Sequence, residues 1–282
     1  MTQSVRDLAF QSIQDILNDN AYSNLKINEV INQYNIATVD KALFTELVYG
    51  TIKRKMTLDF YLKPFVKTRI KGWVRQLLWM SLYQYVFLDK IPNHAIINEA
   101  VNIAKRRGGQ HNGNIVNAIL RHIFKSDLPT LETIKNEKQR MTIEYSIPRW
   151  IIEHWITHYG IETTHKIAKS FLVQSASTVR VNTSRTDVET ISKALLQEGY
   201  HVDIDQLIPY CLHLTGKPVI ESRAFKDGLI SIQDKSSMLV GYLMDVQKDD
   251  TILDACSAPG GKACHMACLL YTSPSPRDQR GS

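Results

Sequence analysis

Apolar positions near the start of the chain recur at intervals of three and four: Val5, Leu8, Ala9, Ile13, Ile16 and Leu17. That spacing predicts an amphipathic helix with one buried face. The same period returns in Leu43, Phe44, Leu47 and Val48, within a helix expected over residues 41–53 and capped by Asp40. Residues 77–88 are apolar nearly all round, interrupted only by Ser81 and Gln84, which predicts a central, buried helix. Ile91-Pro92-Asn93 opens a further helix over residues 94–107, and Gly108-Gly109 is its stop. Ile115, Val116, Ile119, Leu120 and Ile123 form the apolar face of a last one over residues 114–124.

Beyond Ser126 the pattern changes. Pro129 and the polar run Lys135 to Arg140 read as a linking segment. A helix starts at Pro148, carries Trp150, Ile151, Trp155 and Ile156, and ends near Tyr159-Gly160; a second covers residues 163–174. Val179 and Val181 then alternate with Arg180 and Asn182, the period of a strand. Asp187 caps a helix stopped by Gly199, and residues 201–204, 211–214 and 229–232 read as strands, so this stretch is a small α+β subdomain. Asp234 caps a helix over residues 236–244.

The 282 residues leave room for two or three domains. The net charge of +6 is uneven: residues 1–126 hold 17 Lys/Arg against 9 Asp/Glu, whereas residues 127–282 hold 17 against 19. The excess sits in the helical part and points to a polyanionic partner, most simply a nucleic acid, unless it is only a solvated basic face. Its cations cluster at Lys53-Arg54-Lys55, at Lys67, Arg69, Lys71 and Arg75, and at Lys105-Arg106-Arg107. No apolar run reaches the roughly 20 residues of a membrane-spanning helix, and the first residues carry no signal-peptide pattern, so a cytoplasmic location away from membranes is expected. Four unpaired cysteines suit a reducing compartment. Cys264, His265 and Cys268 lie close together, but a zinc site needs more ligands than these, so no metal is expected.

The candidate chemistry lies at Asp254-Ala255-Cys256-Ser257-Ala258-Pro259-Gly260-Gly261-Lys262. The apolar Thr251-Ile252-Leu253 before it and Ala263-Cys264-His265-Met266-Ala267 after it read as strand, glycine turn and helix start. Such a turn lets a ligand approach the main chain and meet the free N–H groups of the helix. A phosphate-binding P-loop is disfavoured, because Cys256 stands at its first glycine and Ala263 at its Ser/Thr. A dinucleotide fingerprint wants three spaced glycines where only Gly260 and Gly261 occur. A methyltransferase loop for the methionine end of S-adenosylmethionine fits, and by residue type alone so does a turn that binds nothing.

Two longer sets of residues carry a resemblance. Val39-Asp40-Lys41-Ala42-Leu43, Glu46 to Thr51, Leu82-Tyr83-Gln84, Ile91 to Ala95, Asn98 to Val101 and Val116 to Arg121 resemble the NusB-type helical RNA-binding domain. Arg180 to Thr183, Ile232 to Ser237 and Leu253 to Lys262 are similar to bacterial ribosomal RNA cytosine-C5 methyltransferases that carry such a domain in front. The resemblance implies a multi-domain chain: an all-α NusB-like N-terminal domain (1–126), a helical linker (127–177), a small α+β linking subdomain (178–227) and the start of a Rossmann-like α/β methyltransferase domain (228–267). It implies that Cys256, Ser257, Ala258, Pro259, Gly260, Gly261 and Lys262 contact S-adenosylmethionine, and that small-subunit ribosomal RNA is the partner of a monomer. Lys53, Arg54, Lys55, Lys105, Arg106, Arg107 and Arg180 are the candidate RNA contacts.

The chemistry implied is thiolate addition to cytosine C6, methyl transfer to C5 and release of the thiol. The family's cysteines for it stand in Thr-Cys-Ser and Pro-Cys-Ser contexts, and neither tripeptide occurs in this sequence, so no catalytic residue is assigned. Residues 268–282, with two prolines and three serines, break the helix expected after the loop. They read as a non-native tail on a truncated, inactive chain. The alternative is a NusB-type RNA-binding module without catalysis.

Overall fold

The computed structural model describes residues 4–19, 22–173, 176–247 and 250–272. The chain forms two compact units, Met1–Val173 and Gln174–Ser282.

The first unit is helical throughout. It contains α1 (Val5–Asp19), α2 (Ser23–Gln33), α3 (Thr38–Lys53), α4 (Lys55–Leu62), α5 (Gly72–Phe87), α6 (Asn93–Ile123), α7 (Glu137–Tyr145), α8 (Arg149–Tyr159) and α9 (Ile161–Ser170). Its centre is α5, packed against α1, α3, α4 and α6. Leu77, Leu78, Met80 and Leu82 point to different sides of this helix and all are buried. Each such side chain is worth about 1.5–3 kcal/mol once removed from water. Two buried polar residues of α5, Ser81 and Gln84, find partners in place, whereas Gln76 Oε1 has none among the described residues. Ser81 Oγ donates to the Leu77 carbonyl (2.9 Å), Gln84 Nε2 donates to the Met80 carbonyl (3.1 Å), and Gln84 Oε1 accepts from Arg6 Nε (2.7 Å).

Three expectations need correction here. Asp40 is not the cap of α3; the cap position is Ala37, and Asp40 lies in the first turn, where its carboxylate complements the helix dipole. Gly108-Gly109 does not end a helix. The chain kinks at Gly109 (φ 77°) and resumes, with the Asn112 amide donating to the Gly108 carbonyl freed by the kink. The polar run at residues 135–140 is not a linker either. Asn136 caps α7 by accepting the Gln139 N–H at 3.0 Å, and most of the run is the first turn of that helix. α7 then docks on α4: Thr57 Oγ1 donates to the Ile143 carbonyl (2.5 Å), and the Met56 N–H donates to Ser146 Oγ (2.9 Å). Met141, Tyr145, Ile152 and Ala168 form a small core for α7–α9.

The second unit holds β1 (Ser177–Val181), α10 (Val188–Gln197), β2 (His201–Ile204), β3 (Cys211–Thr215), α11 (Arg223–Lys226), β4 (Ile230–Ile232), α12 (Lys235–Met244) and α13 (Gly261–Thr272). The strands form an antiparallel sheet in the order β2-β3-β1-β4. Val179, Val181, Leu212, Leu214 and Ile230 share a buried face with Ile191 and Leu195 of α10. Asp187 caps α10 as expected, accepting the Thr190 N–H at 2.8 Å, and Gly199 follows it at φ 86°. Asp234 caps α12 by accepting the Ser236 N–H (2.8 Å).

The strand expected over Thr251-Ile252-Leu253 does not form. These residues are irregular, and Leu253 is 90% exposed. A three-residue apolar run becomes a strand only beside a neighbour that accepts its ladder, and the one sheet among the described residues does not include it. Of the strand, turn and helix expected here, only the turn and the helix, α13, form. That helix runs through Cys268 to Thr272, and the expected tail from residue 273 onward lies outside the described residues.

Candidate cofactor loop and basic surface

The glycine loop is shaped by short-range bonds. Asp254 Oδ1 accepts the Cys256 N–H at 3.1 Å, the Gly260 N–H turns back to the Ser257 carbonyl, and the Cys264 N–H reaches the Gly260 carbonyl at 2.8 Å. Gly260 adopts φ 98°, a left-handed conformation that favours glycine. α13 begins at the next residue, so the N–H groups of Gly261, Lys262 and Ala263 have no helical acceptor and form a small positive pole. Cys256, Ser257, Ala258, Pro259 and Lys262 are exposed around it. A cleft of about 210 Å³ lies between this loop and the start of α12, where Gln233, Asp234 and Ser237 line it. Two buried polar atoms nearby, Asp254 Oδ2 and Gln233 Nε2, have no hydrogen-bond partner among the described residues. Neither Gln233 nor Ser237 has a site role legible in the sequence: the segment Ile232 to Ser237 stands out there, but its approach to the loop depends on α12 packing on α13.

The cleft suits part of a ligand rather than all of one. It is smaller than the roughly 300–1,000 Å³ of complete small-molecule sites. Its donors, the helix pole and the Lys262 ammonium, match a carboxylate, and Asp254 Oδ2 matches an ammonium. Those are the two charged groups at the amino-acid end of S-adenosylmethionine.

The basic residues occupy different settings. Lys53 and Lys55 are exposed at the junction of α3 and α4. The Arg54 guanidinium lies 4.2 Å from the Phe87 ring centroid, and Lys55 Nζ lies 5.5 Å from that of Trp79. Lys105 is exposed on α6. Arg106 pairs with Asp7 of α1 at 2.9 Å, and Arg107 donates to Gln14 while its guanidinium covers the Phe10 ring at 4.8 Å. Arg106 and Arg107 thus also hold α6 to α1. Arg75, from the second group of cations, pairs with Asp59 at 2.7 Å and shares a cleft with Lys55. Arg180 stands apart from the surface cations: it is only 5% exposed, and its Nε donates to Gln233 Oε1 at 2.9 Å.

A lone buried histidine and one cluster among the described residues offer metal-ligand residue types. His265 is buried, with its ring edge-on to Tyr210 at 5.1 Å, and neither ring nitrogen has a partner among the described residues. Burial, with the nearby Arg180 charge second, pushes its pKa down to about 4, so the imidazole is neutral. Asp205, Cys211 and His213 place ligand atoms within 4.8 Å of one another. The carboxylate is already saturated: Oδ1 accepts the N–H groups of Leu207 and Ile208 (2.9 and 3.0 Å), and Oδ2 accepts from His213 Nε2 (2.9 Å) and Lys235 Nζ (2.6 Å). Burial pushes the Cys211 thiol up to about 11, away from the thiolate a metal requires. This is an ion-paired corner that ties α12 to the sheet.

Comparison with known proteins places these features. Residues 3–125 match the NusB family, and residues 147–221 match the "Methyltr_RsmF/B-like, ferredoxin-like domain". Over 95% of its length the chain is 39% identical to the probable ribosomal RNA small subunit methyltransferase B of Bacillus subtilis, covering 60% of that protein. It is 28% identical to the protein of the same name from Synechocystis, covering 61% of it. The chain thus spans about 60% of the length of these curated relatives. In fold it resembles the crystal structure of PH0851, with a TM-score of 0.69, 22% identity, and coverage of 96% of this chain and 62% of that one. The chain is thus similar at residues 3–125 to the NusB family and at residues 147–221 to the ferredoxin-like domain of RsmF/B-like methyltransferases.

Proposed function

We propose that this chain is the RNA-recognition and cofactor-contacting part of an S-adenosylmethionine-dependent methyltransferase acting on cytosine C5 of small-subunit ribosomal RNA. The observation that carries the reading is the joining, in one chain, of a NusB-family domain and the open loop at Asp254 to Lys262. The named relatives are small-subunit ribosomal RNA methyltransferases, which supports the substrate class. S-adenosylmethionine supplies, when bound, a methyl group on a sulfonium. Cys256 to Lys262 are its binding residues here. The N–H groups of Gly261 to Ala263 and the Lys262 ammonium hold its carboxylate, Asp254 takes its ammonium, and Pro259 and Gly260 fix the turn that admits it. Cys256 contributes backbone and sits in the cofactor loop, outside the nucleophile's role. Lys53, Arg54, Lys55, Lys105, Arg106 and Arg107 position the RNA backbone. The protein works as a monomer in the cytoplasm. No helix among the described residues is long and apolar enough to cross a membrane.

Two binding measurements test this without requiring turnover. Equilibrium dialysis with S-adenosylhomocysteine should show saturable binding, and the ligand should slow alkylation of Cys256. Gly260→Val, which forces a branched side chain into the left-handed turn, should weaken that binding at least about tenfold. Fragments of small-subunit ribosomal RNA should bind with affinity that falls steeply as salt rises. If neither dialysis nor Cys256 protection detects the cofactor, the loop assignment is wrong.

A further inference from the structure

The first unit holds a second cleft, of about 610 Å³, between α4, the start of α5, and the α7 region. That volume is in the range of complete small-molecule sites. Met56, Phe60 and Ile143 give it apolar lining, and Lys55, Lys63 and Gln139 give it polar lining. Its one carboxylate is consumed: Asp59 Oδ1 accepts from Arg75 Nη1 at 2.7 Å and from Trp79 Nε1 at 3.0 Å. Lys55 and Lys63, by contrast, have no carboxylate partner among the described residues. The net result is an apolar slot flanked by two uncompensated ammoniums, with a primary amide at its rim.

That combination selects its occupant. An inorganic anion would use the lysines and leave the apolar lining idle. A neutral apolar group would use the lining and leave two charges unanswered. A nucleotide uses both, since its base presents a flat π-face and a hydrogen-bonding edge and its phosphates present charge. Lys55 is also the last member of the Lys53-Arg54-Lys55 group, whose two lysines are exposed, so cations continue from the cleft onto the surface. We propose that this cleft takes one unstacked nucleotide of a single-stranded RNA segment, with its base against Phe60 and Met56, its edge at Gln139, and the flanking phosphates at Lys55 and Lys63. The proposal rests on the RNA-binding reading given above and adds to it a specific seat for a base.

The test uses the full chain and fluorescently labelled eight-nucleotide RNAs, followed by anisotropy from 50 to 300 mM salt. Lys63→Ala, at an exposed position, should lower the salt slope by about 0.7, the contribution of one phosphate contact on a single strand. Phe60→Ala should weaken binding about tenfold, and an RNA with one abasic position should lose affinity to the wild type but not to Phe60→Ala. If Phe60→Ala does not fold, Gln139→Ala and the abasic RNA carry the same test. RNA containing 4-thiouridine should crosslink within residues 55–64 or 134–143. Lys166→Ala, an exposed change on α9, should alter nothing. RNA binding that is unaffected by the cleft variants, with crosslinks elsewhere, would overturn the seat while leaving the RNA reading intact. No RNA binding by the wild type even at 50 mM salt would remove both. An acidic peptide such as oligoglutamate competing as well as RNA would show that charge alone is recognised, and would also overturn the proposal.

Discussion

Replacing Gly50 by alanine adds one methyl group and should cost the first unit several kcal/mol. Gly50 lies in α3 where that helix crosses α5. A Cβ there would sit 2.5 Å from Tyr83 Cε1 and closer still to Cζ and Oη. Tyr83 has little room to retreat, being 5% exposed, with its ring against Phe87 at 5.3 Å and its hydroxyl donating to Glu46. Forcing an atom into such packing costs about 1–3 kcal/mol. Dragging the hydroxyl off a carboxylate costs about 1.5–3 kcal/mol more. Alanine's better helix propensity returns about 1 kcal/mol. The net loss is about 1.5–5 kcal/mol, which for a unit of this size is a fall in melting temperature of about 3–20 °C.

The assay is thermal unfolding followed by circular dichroism, with a double-mutant cycle as the control. In a Tyr83→Ala background the clash is gone, and Gly50→Ala should become neutral or stabilising by up to about 1 kcal/mol. Gly72→Ala, whose Cβ meets nothing within 4 Å, should change stability by no more than a few tenths of a kcal/mol, or about 1 °C. A Gly50→Ala protein that melts with the wild type, or a penalty that survives unchanged in the Tyr83→Ala background, would refute the packing argument. α3 ends at Lys53, so the same variant should also weaken RNA binding by displacing the basic junction with α4.

Other outcomes follow from single contacts. Asn136→Ala removes the cap of α7 and should cost about 1 kcal/mol in a denaturant titration. His265, neutral when folded with its pKa lowered to about 4 from an ordinary value near 6.5, gives stability that is complete above pH 6.5 and lost as pH falls toward 4; urea midpoints should show this slope in the wild type but not in His265→Phe. Asp205 is held well below the usual carboxylate range by Lys235, then His213 and backbone N–H groups, so its contribution persists to about pH 4 and is lost below it; the gap between wild type and Asp205→Asn should close only in that lower window. Iodoacetamide at pH 8 should label exposed Cys256 and Cys264 first and buried Cys211 last, as mass spectrometry of the peptides will read directly.

What the sequence shows most clearly is whatever is decided within one or two turns of chain. α5 is legible because it is apolar on every side, and α10 because Asp187 and Gly199 mark both ends. The features that escape it are decided by distant residues. α7 looks like a polar linker because only Met141, Thr142 and Tyr145 are buried along it, and the groups that anchor it, Thr57 and Met56, lie more than 80 residues earlier. α2 is equally faint, with Ile27 and Val30 its only buried residues. The run Thr251 to Leu253 has the composition of a strand, but composition cannot supply the neighbour a strand needs.

Arg180 shows where period-two reasoning stops. Alternation correctly sets it on the sheet face opposite Val179 and Val181, and the polar side chain then suggests that this face meets water or RNA. The alternation says which way a side chain points and nothing about what covers it. In the folded unit Gln233 binds the guanidinium, and Tyr210 and His265 lie near enough to feel its charge, while its Nη1 has no partner among the described residues. A buried cation that is only partly satisfied is costly unless its charge organises something nearby. The neighbours that it does organise belong to the elements framing the glycine loop: Gln233 at the start of α12 and His265 in α13. Arg180 lies among the elements that frame the loop and is buried rather than on the exposed surface, so Arg180→Met is expected to leave the salt slope of RNA binding unchanged while weakening cofactor binding. A reduced salt slope would return Arg180 to the RNA contacts.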